Sequence, residues 1–152
     1  MTTPPLENPA PRFLSFAAAF EEAYGDDDWS RLEPFLTEDA VYEVTGGDPL
    51  GGRWEGRAAV LEQFQDICAR FDKRFDSRQT EIVGAPEILP GTMRFEWRAT
   101  YTLAGKPDLV IGGVETAEFE GDRIRFLQDA GNEGDDVKMQ TYLAAHLPDA
   151  LP

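Results

Sequence analysis

Leu109-Val110-Ile111-Gly112-Gly113-Val114-Glu115-Thr116-Ala117-Glu118-Phe119-Glu120 is the stretch that decides the fold. Alternate residues of a strand share one face of its sheet, and Leu109, Ile111, Gly113, Ala117 and Phe119 form an apolar row with Glu115 in its midst. An ionised, unpaired carboxylate on a buried face is costly. Glu115 is therefore paired, kept neutral by a raised pKa, or lining a cavity. A cavity makes it a functional residue, whereas an arginine partner or an outlet to solvent at the end of the row makes it structural.

The period of two continues on both sides. Strands are predicted over Thr80 to Ile88, Met93 to Leu103, Leu109 to Glu120 and Arg123 to Asp129, with turns at Leu89-Pro90-Gly91, Ala104-Gly105-Lys106-Pro107 and Gly121-Asp122. In the cleanest run, Phe95, Trp97, Ala99, Tyr101 and Leu103 alternate with Arg94, Glu96, Arg98, Thr100 and Thr102. One face of the meander is thus apolar and the other polar.

The chain ahead of the meander is helical. After an irregular, proline-rich lead-in over residues 1–12, Phe13, Phe16, Ala17, Phe20, Ala23 and Tyr24 line one stripe of a helix that Gly25 is expected to end. Asp26, Asp27 and Asp28 then introduce a second, short helix with Trp29, Leu32, Phe35 and Leu36, curtailed by Pro34. Ala40 to Thr45 has strand propensity, the glycine-rich Gly46 to Gly56 reads as a loop, and Arg57 to about Arg74 as a strongly amphipathic helix. A last helix presents Met139, Tyr142, Leu143, His146 and Leu147, placed across the sheet edge or a cavity mouth. Helices followed by a strongly bent antiparallel sheet make an α+β class, and a single domain over 13–147 is expected.

Composition narrows the function. The 152 residues carry 14 Lys and Arg against 29 Asp and Glu, a net charge of -15 that repels nucleic acids and anionic membranes. No apolar run approaches the length of a membrane span, and no basic segment followed by an apolar one opens the chain, so a cytoplasmic location is expected. Cys68 is the only cysteine, which excludes an internal disulfide and a multi-thiolate metal site. No cofactor or metal is expected.

The order of elements, with Tyr24-Gly25-Asp26, Phe35-Leu36-Thr37-Glu38-Asp39-Ala40-Val41-Tyr42, Trp54-Glu55-Gly56-Arg57 and Arg123-Ile124-Arg125-Phe126-Leu127-Gln128-Asp129, resembles the SnoaL-like branch of the nuclear transport factor 2-like superfamily. The likeness covers about residues 13 to 131. It implies a cone-shaped barrel, the bent sheet wrapping the N-terminal helices, with an apolar pocket at the open end for a small apolar molecule and frequent pairing of two copies through the outer sheet face. The superfamily holds ketosteroid isomerase, polyketide cyclases, dehydratases, epoxide hydrolases and non-catalytic binding modules, so the fold alone does not assign chemistry. On the isomerase pattern, Phe20 stands where that enzyme has its oxyanion-binding tyrosine, Val44 at its general-base aspartate, and Glu115 at its second, protonated aspartate.

Asp129 is the other candidate acid. Similarity to the family's final strand points it inward, whereas strict alternation from Ile124 and Phe126 puts Gln128 on that face, and one bulge residue decides between them. Two inward carboxylates would split their pKa values into a base, Asp129, and a neutral acid, Glu115, suited to abstracting a proton beside a carbonyl. Phe20, Tyr24, Tyr42, Val44, Trp54, Trp97, Tyr101 and Gln128 are the candidate ligand contacts, with Arg53 and Trp54 as a lid in the glycine-rich rim. His146 and Cys68 read as helix-face residues, and the aspartate run as capping without the alternating spacing of a calcium loop. Two functions stay open: a small-ligand-binding protein, or a cofactor-free cyclase, isomerase or hydratase acting on an apolar carbonyl compound.

Overall fold

The computed structural model describes residues 6–150. Helix α1 (Ala10–Asp26) buries Phe13, Phe16 and Ala23 and begins earlier than the apolar stripe suggests, because Pro11 in the first turn lacks only an N–H that no carbonyl awaits. Of the expected lead-in, residues 1–5 lie outside the described part, and Leu6 is already fixed by its carbonyl, which accepts the Gly91 amide at 2.7 Å. Gly25 lies inside α1, and Asp27, at φ 61°, takes the left-handed position that ends it. Its carboxylate accepts the Trp29 indole N–H at 2.8 Å. The Asp28 side chain makes no cap to the backbone of the 3-10 turn Trp29–Phe35, contrary to the capping expectation, and its carboxylate accepts the Ser30 hydroxyl instead.

Six strands follow: β1 (Leu36–Thr45), β2 (Gly52–Glu55), and, after helix α2 (Arg57–Arg70), β3 (Ser77–Leu89), β4 (Thr92–Thr102), β5 (Leu109–Glu120) and β6 (Arg123–Gly131), with α3 (Asp135–His146) last. Their order across the sheet is β2-β1-β6-β5-β4-β3. All neighbours are antiparallel except β1 and β6. The expected α+β class with a bent sheet around the helices is found, and two details differ: the sheet is mixed, since α2 and the meander provide the long crossover a parallel pair needs, and it is not closed into a barrel, since β2 and β3 remain separate edges. The segment Gly46 to Gly56 is not all loop. Gly52 opens β2 because the Trp54 indole folds against it, where a Cβ would come within 2.8 Å of the ring.

Two apolar clusters fill the concave side. One joins α1, the 3-10 turn and α2 to the narrow end of the sheet through Phe13, Phe16, Trp29, Phe64, Phe95 and Leu127. The other packs α3 through Met139, Tyr142 and Leu143 onto Tyr101, Leu109 and Ile111 at the wide end. β5 passes close to its neighbours at Gly112 and Gly113, where an added Cβ would lie 2.6 Å from the Trp97 carbonyl oxygen and 2.4 Å from that of Ala130. We expect Gly113→Ala to lower the unfolding free energy by about 1–3 kcal/mol, because backbone cannot yield as a flexible side chain does. Gly25→Ala, in open space on α1, should raise it by roughly 0.5–1 kcal/mol. Urea denaturation of both variants checks the contrast, and equal midpoints would show that the strand spacing is not tight at Gly113.

Candidate functional site

The position of the second acid depends on one irregularity. Along β5 and β6, Glu115 pairs with Asp129, Ala117 with Leu127 and Glu118 with Phe126, after which the register steps so that Phe119 meets Ile124. Arg125 is the unpaired residue of a bulge, and the alternation changes parity there. Ile124, Leu127 and Asp129 therefore face inward. Gln128 faces outward, where its side-chain amide donates to Glu43 Oε1 at 2.7 Å, and Glu43 Oε2 in turn accepts from Arg53 at 2.9 Å.

A row of side chains consequently crosses four strands in the order Phe95, Glu115, Asp129 and Val44. Directly opposed residues on adjacent strands have Cβ atoms roughly 5 Å apart, so the two carboxyls stand side by side between two apolar neighbours. Neither forms an ion pair among the described residues. The Tyr42 hydroxyl donates to Asp129 Oδ2 at 2.9 Å, while Glu115 has no hydrogen-bond partner among those residues. Tyr42 is itself held by stacking on Trp54, with centroids 5.6 Å apart and planes at 25°, and by the edge of Phe64 at 5.0 Å. Burial and the neighbouring carboxylate keep its hydroxyl protonated and donating.

Burial pushes the Asp129 carboxyl up to about 6, against the Tyr42 hydroxyl and the Trp97 indole N–H, which both favour its ionised form. Burial, and then the charge of Asp129, raise Glu115 well above the ordinary carboxylate range. Two raised carboxyls side by side disfavour ionising together, and Glu115, which burial and the Asp129 charge both push up, favours its neutral form. Such an arrangement sets a base beside a neutral acid.

The pair faces a cavity of about 450 Å³ between the two apolar clusters, which is why both carboxyls keep some accessible surface while surrounded by protein. Phe20, Tyr42, Val44, Trp97 and Tyr101 line it, as do Leu50 and Met139 at the wide end. Tyr24, Trp54 and Gln128 do not: Tyr24 lies under Arg78, Trp54 supports Tyr42 from β2, and Gln128 is on the outer face. Trp54 and Arg53 are strand residues and form no lid. The rim is instead the remaining loop, whose Asp48 carbonyl accepts from Gln140 of α3 at 3.2 Å.

A second polar group on the cavity wall is absent from the sequence-based candidates. Arg78 of β3, its side chain 10% exposed, donates to both carboxylate oxygens of Glu21 at 2.9 Å. It lies 4.2 Å over the Tyr24 ring, and its Nε is 3.5 Å from Asp72. Burial pushes the Asp72 carboxyl up to about 6 even beside that guanidinium. Arg78 sits two residues before the expected start of β3, and in the parity of Thr80 and Ile82 it belongs to the inner row. Extending the alternation across Gln79 was the available signal. This bridge ties α1 to β3 where the cavity reaches the surface, since its lining residues Leu14 and Ile82 are 55% and 41% exposed.

Cys68 is buried, its thiol pushed up to about 12 by that burial, so it stays an inert thiol. His146 packs against the Tyr142 ring at 4.7 Å and does not line the cavity. No cluster of metal-ligating side chains occurs among the described residues, and none of their helices is long and apolar enough to cross a membrane.

Residues 17–127 match the profile of the SnoaL-like domain family. The chain belongs to that family. Its fold is shared with a candidate isomerase from Rhodopseudomonas palustris at 18% identity, TM-score 0.67, over 86% of this chain and 96% of that one. It is also shared with a LEH-like epoxide hydrolase of Mycobacterium tuberculosis at 17% identity, TM-score 0.61, over 91% and 97%. TerC, co-crystallised with polyporic acid, is similar at 11% identity, TM-score 0.64, over 88% and 98%. No curated protein is significantly similar in sequence. At these identities the likenesses show the fold of this SnoaL-like chain and leave its chemistry to its own residues.

The acid pair gives a pH dependence of known sign. Both folded-state pKa values lie above the unfolded ones, so between about pH 4 and 6 the unfolded state releases protons that the folded state retains, and folding stability falls as pH rises. Glu115→Gln removes this penalty. We expect the variant to gain on the order of 1–3 kcal/mol over wild type at pH 8 and to lose most of that gain at pH 4. Denaturant titrations at the two pH values measure it, and a pH-independent difference would mean the two carboxyls do not share a proton.

Proposed function

We propose that this SnoaL-like protein binds a small, mainly apolar carbonyl compound in its cavity and moves a proton on it without a cofactor. The observation that carries this reading is the Glu115 and Asp129 pair, two inward carboxyls directly opposite each other beside an aromatic wall. Asp129, oriented by Tyr42, accepts a proton from the carbon next to the carbonyl, and the C–H electron pair becomes the double bond of an enolate. Glu115 donates a hydrogen bond to the enolate oxygen. Where a carbon–carbon double bond adjoins that carbon, the enolate extends over it, and returning the proton from Asp129 to its far end completes an isomerisation; an internal electrophile taking the enolate carbon completes a cyclisation.

A specific observation supports a second reading, a carrier that binds without turnover. Phe20 and Val44 occupy the positions at which the isomerase pattern places its hydroxyl donor and its base, and both line the cavity without a polar atom to offer. TerC, of like fold, was crystallised with polyporic acid, in keeping with small-molecule binding in either case. Pairing of two copies through the outer face of β3–β6, which carries Arg94, Arg98 and Thr100, is part of the same proposal, and light scattering at micromolar concentration should return twice the mass of one chain.

Solvent-deuterium exchange into a panel of apolar ketones and enones, followed by NMR, separates the readings. Wild type should exchange protons next to the carbonyl, and Asp129→Asn and Glu115→Gln should each slow that exchange by about 10²-fold or more, the usual size of a general acid or base contribution. The rate should rise with pH through about 6, where Asp129 ionises, and fall again once Glu115 loses its proton. Binding with equal, background exchange in all three proteins would leave the carrier.

A further inference from the structure

We infer that the cavity takes a ligand carrying a hydroxyl group at the end opposite its carbonyl, and that the Tyr101 hydroxyl and the Asp72 carboxylate receive that group. The inference rests on the proposed reading of the cavity as a small-ligand site, names a feature of the ligand, and does not require turnover.

Tyr101 closes the inward run Phe95, Trp97, Ala99, Tyr101 of β4, at the opposite end from the row that holds the acid pair, and its register partner on β3 is Arg78. Asp72, a buried acid, reaches the same corner from the 3-10 turn Asp72–Arg74 that follows α2. Both line the cavity. The fold uses neither polar group. Tyr101 is 6% exposed and its hydroxyl makes no hydrogen bond among the described residues, whereas the hydroxyl of Tyr142, in the same apolar cluster, donates to the Pro107 carbonyl at 2.6 Å. The Asp72 carboxylate meets Arg78 Nε at 3.5 Å, a charge contact in which that Nε completes no hydrogen bond, and the guanidinium donates to Glu21 instead. Arg78 Nε is fully enclosed, but the Tyr101 hydroxyl and the Asp72 carboxylate are not, and the surface they keep belongs to the cavity they line. Buried tyrosine hydroxyls and carboxylates ordinarily find partners, so two that share one corner of a cavity without any mark the place of a ligand group.

The pairing of donor and acceptor selects the kind of group. The Asp72 charge is, after burial, the strongest influence keeping the Tyr101 phenol protonated, so Tyr101 offers an O–H. Asp72, pushed up to about 6, offers lone pairs above that pH. A ligand carboxylate would be repelled by Asp72, and an ammonium has no lone pair for the Tyr101 O–H. An alcohol suits both, because its O–H donates to Asp72 while its oxygen accepts from Tyr101. The Tyr42 hydroxyl, bonded to Asp129, also feels the Asp72 charge, so the two polar ends lie within reach of one small molecule. The ligand class is therefore an apolar hydroxy-ketone, its carbonyl at Glu115 and its hydroxyl at Asp72, with the ring system between them.

The test compares two probes of the same shape, 2-acetyl-6-(hydroxymethyl)naphthalene and 2-acetyl-6-ethylnaphthalene, titrated by calorimetry at neutral pH into wild type and Tyr101→Phe. Wild type should bind the alcohol about tenfold more tightly than Tyr101→Phe does, while the ethyl compound binds both proteins alike, the latter confirming an intact cavity. In wild type the carboxyl-carbon NMR resonance of Asp72 should move with the alcohol and not with the ethyl compound, a readout that needs no variant. Equal affinity of wild type and Tyr101→Phe for the alcohol, or an Asp72 resonance that moves alike with both probes, would overturn the inference while leaving an apolar cavity. Binding of neither probe would overturn the cavity reading as well. The advantage of the alcohol supports the inference whether or not the ketone exchanges deuterium, so loss of the proton-transfer reading and loss of this one are separate results.

Discussion

Everything at the site depends on setting two carboxyls directly opposite each other on adjacent strands and keeping water from separating them. Like charges in register are destabilising in a sheet, and the arrangement persists only because one of the two holds a proton. The bulge at Arg125 produces it. Without that extra residue β6 would present Gln128 to the cavity and Asp129 to the outer face, where Glu43 and Gln128 now bond. Glu115 would then be a solitary acid, and a single buried carboxyl can be neutral or ionised but cannot be both an acid and a base.

The low dielectric that splits the pair is supplied by elements far apart in sequence. Phe13 and Phe16 of α1, Phe64 of α2 and Phe95 of β4 close the narrow end, and α3 closes the wide end through Met139. Between them the sheet carries glycines where it must come close to itself, at Gly112 and Gly113. The cavity is thus the space left where two well-packed clusters do not meet, and its polar groups are the ones that packing has not satisfied. The Arg78, Glu21 and Asp72 group differs in kind: its guanidinium is already flanked by two acids, so it is suited to tying α1 to the edge strand at the cavity mouth and poorly suited to holding an anion.

Residues whose side chains report burial were legible in the sequence, and those whose role is set by backbone were not. The run from Leu109 to Glu120 identified β5 to the residue, and Glu115 could be placed on its inner face from alternation alone. Asp129 could not be placed, because a bulge residue such as Arg125 is an ordinary exposed arginine in sequence and only pairing reveals that it is unmatched. β2 was hidden by its glycine, which reads as a loop former but serves here to admit the Trp54 ring. Trp54 and Tyr24 looked like cavity aromatics since an aromatic's burial does not tell which side of it is empty. Arg78 is not legible because a charged residue beside Ser77 and Gln79 looks like the turn before a strand rather than its first inward side chain.

The pairing of β1 with β6 sets an apolar residue and an acid side by side in the inner row. The isomerase pattern assigns its base to the position of Val44, and Val44 is the register partner of Asp129. Neighbouring strands lie about 4.8 Å apart, so a carboxylate on β6 reaches nearly the same part of the cavity as one on β1 would. Because Asp129 stands on β6 it is next to Glu115, so the two acids interact more strongly than if a strand lay between them, and the Tyr42 hydroxyl of β1 orients its carboxylate. The proposed proton transfer thus needs no acid at Val44: the sheet register puts the carboxylate of the neighbouring strand within reach of the same part of the cavity, and a valine beside it adds to the apolar surroundings that favour a neutral Glu115.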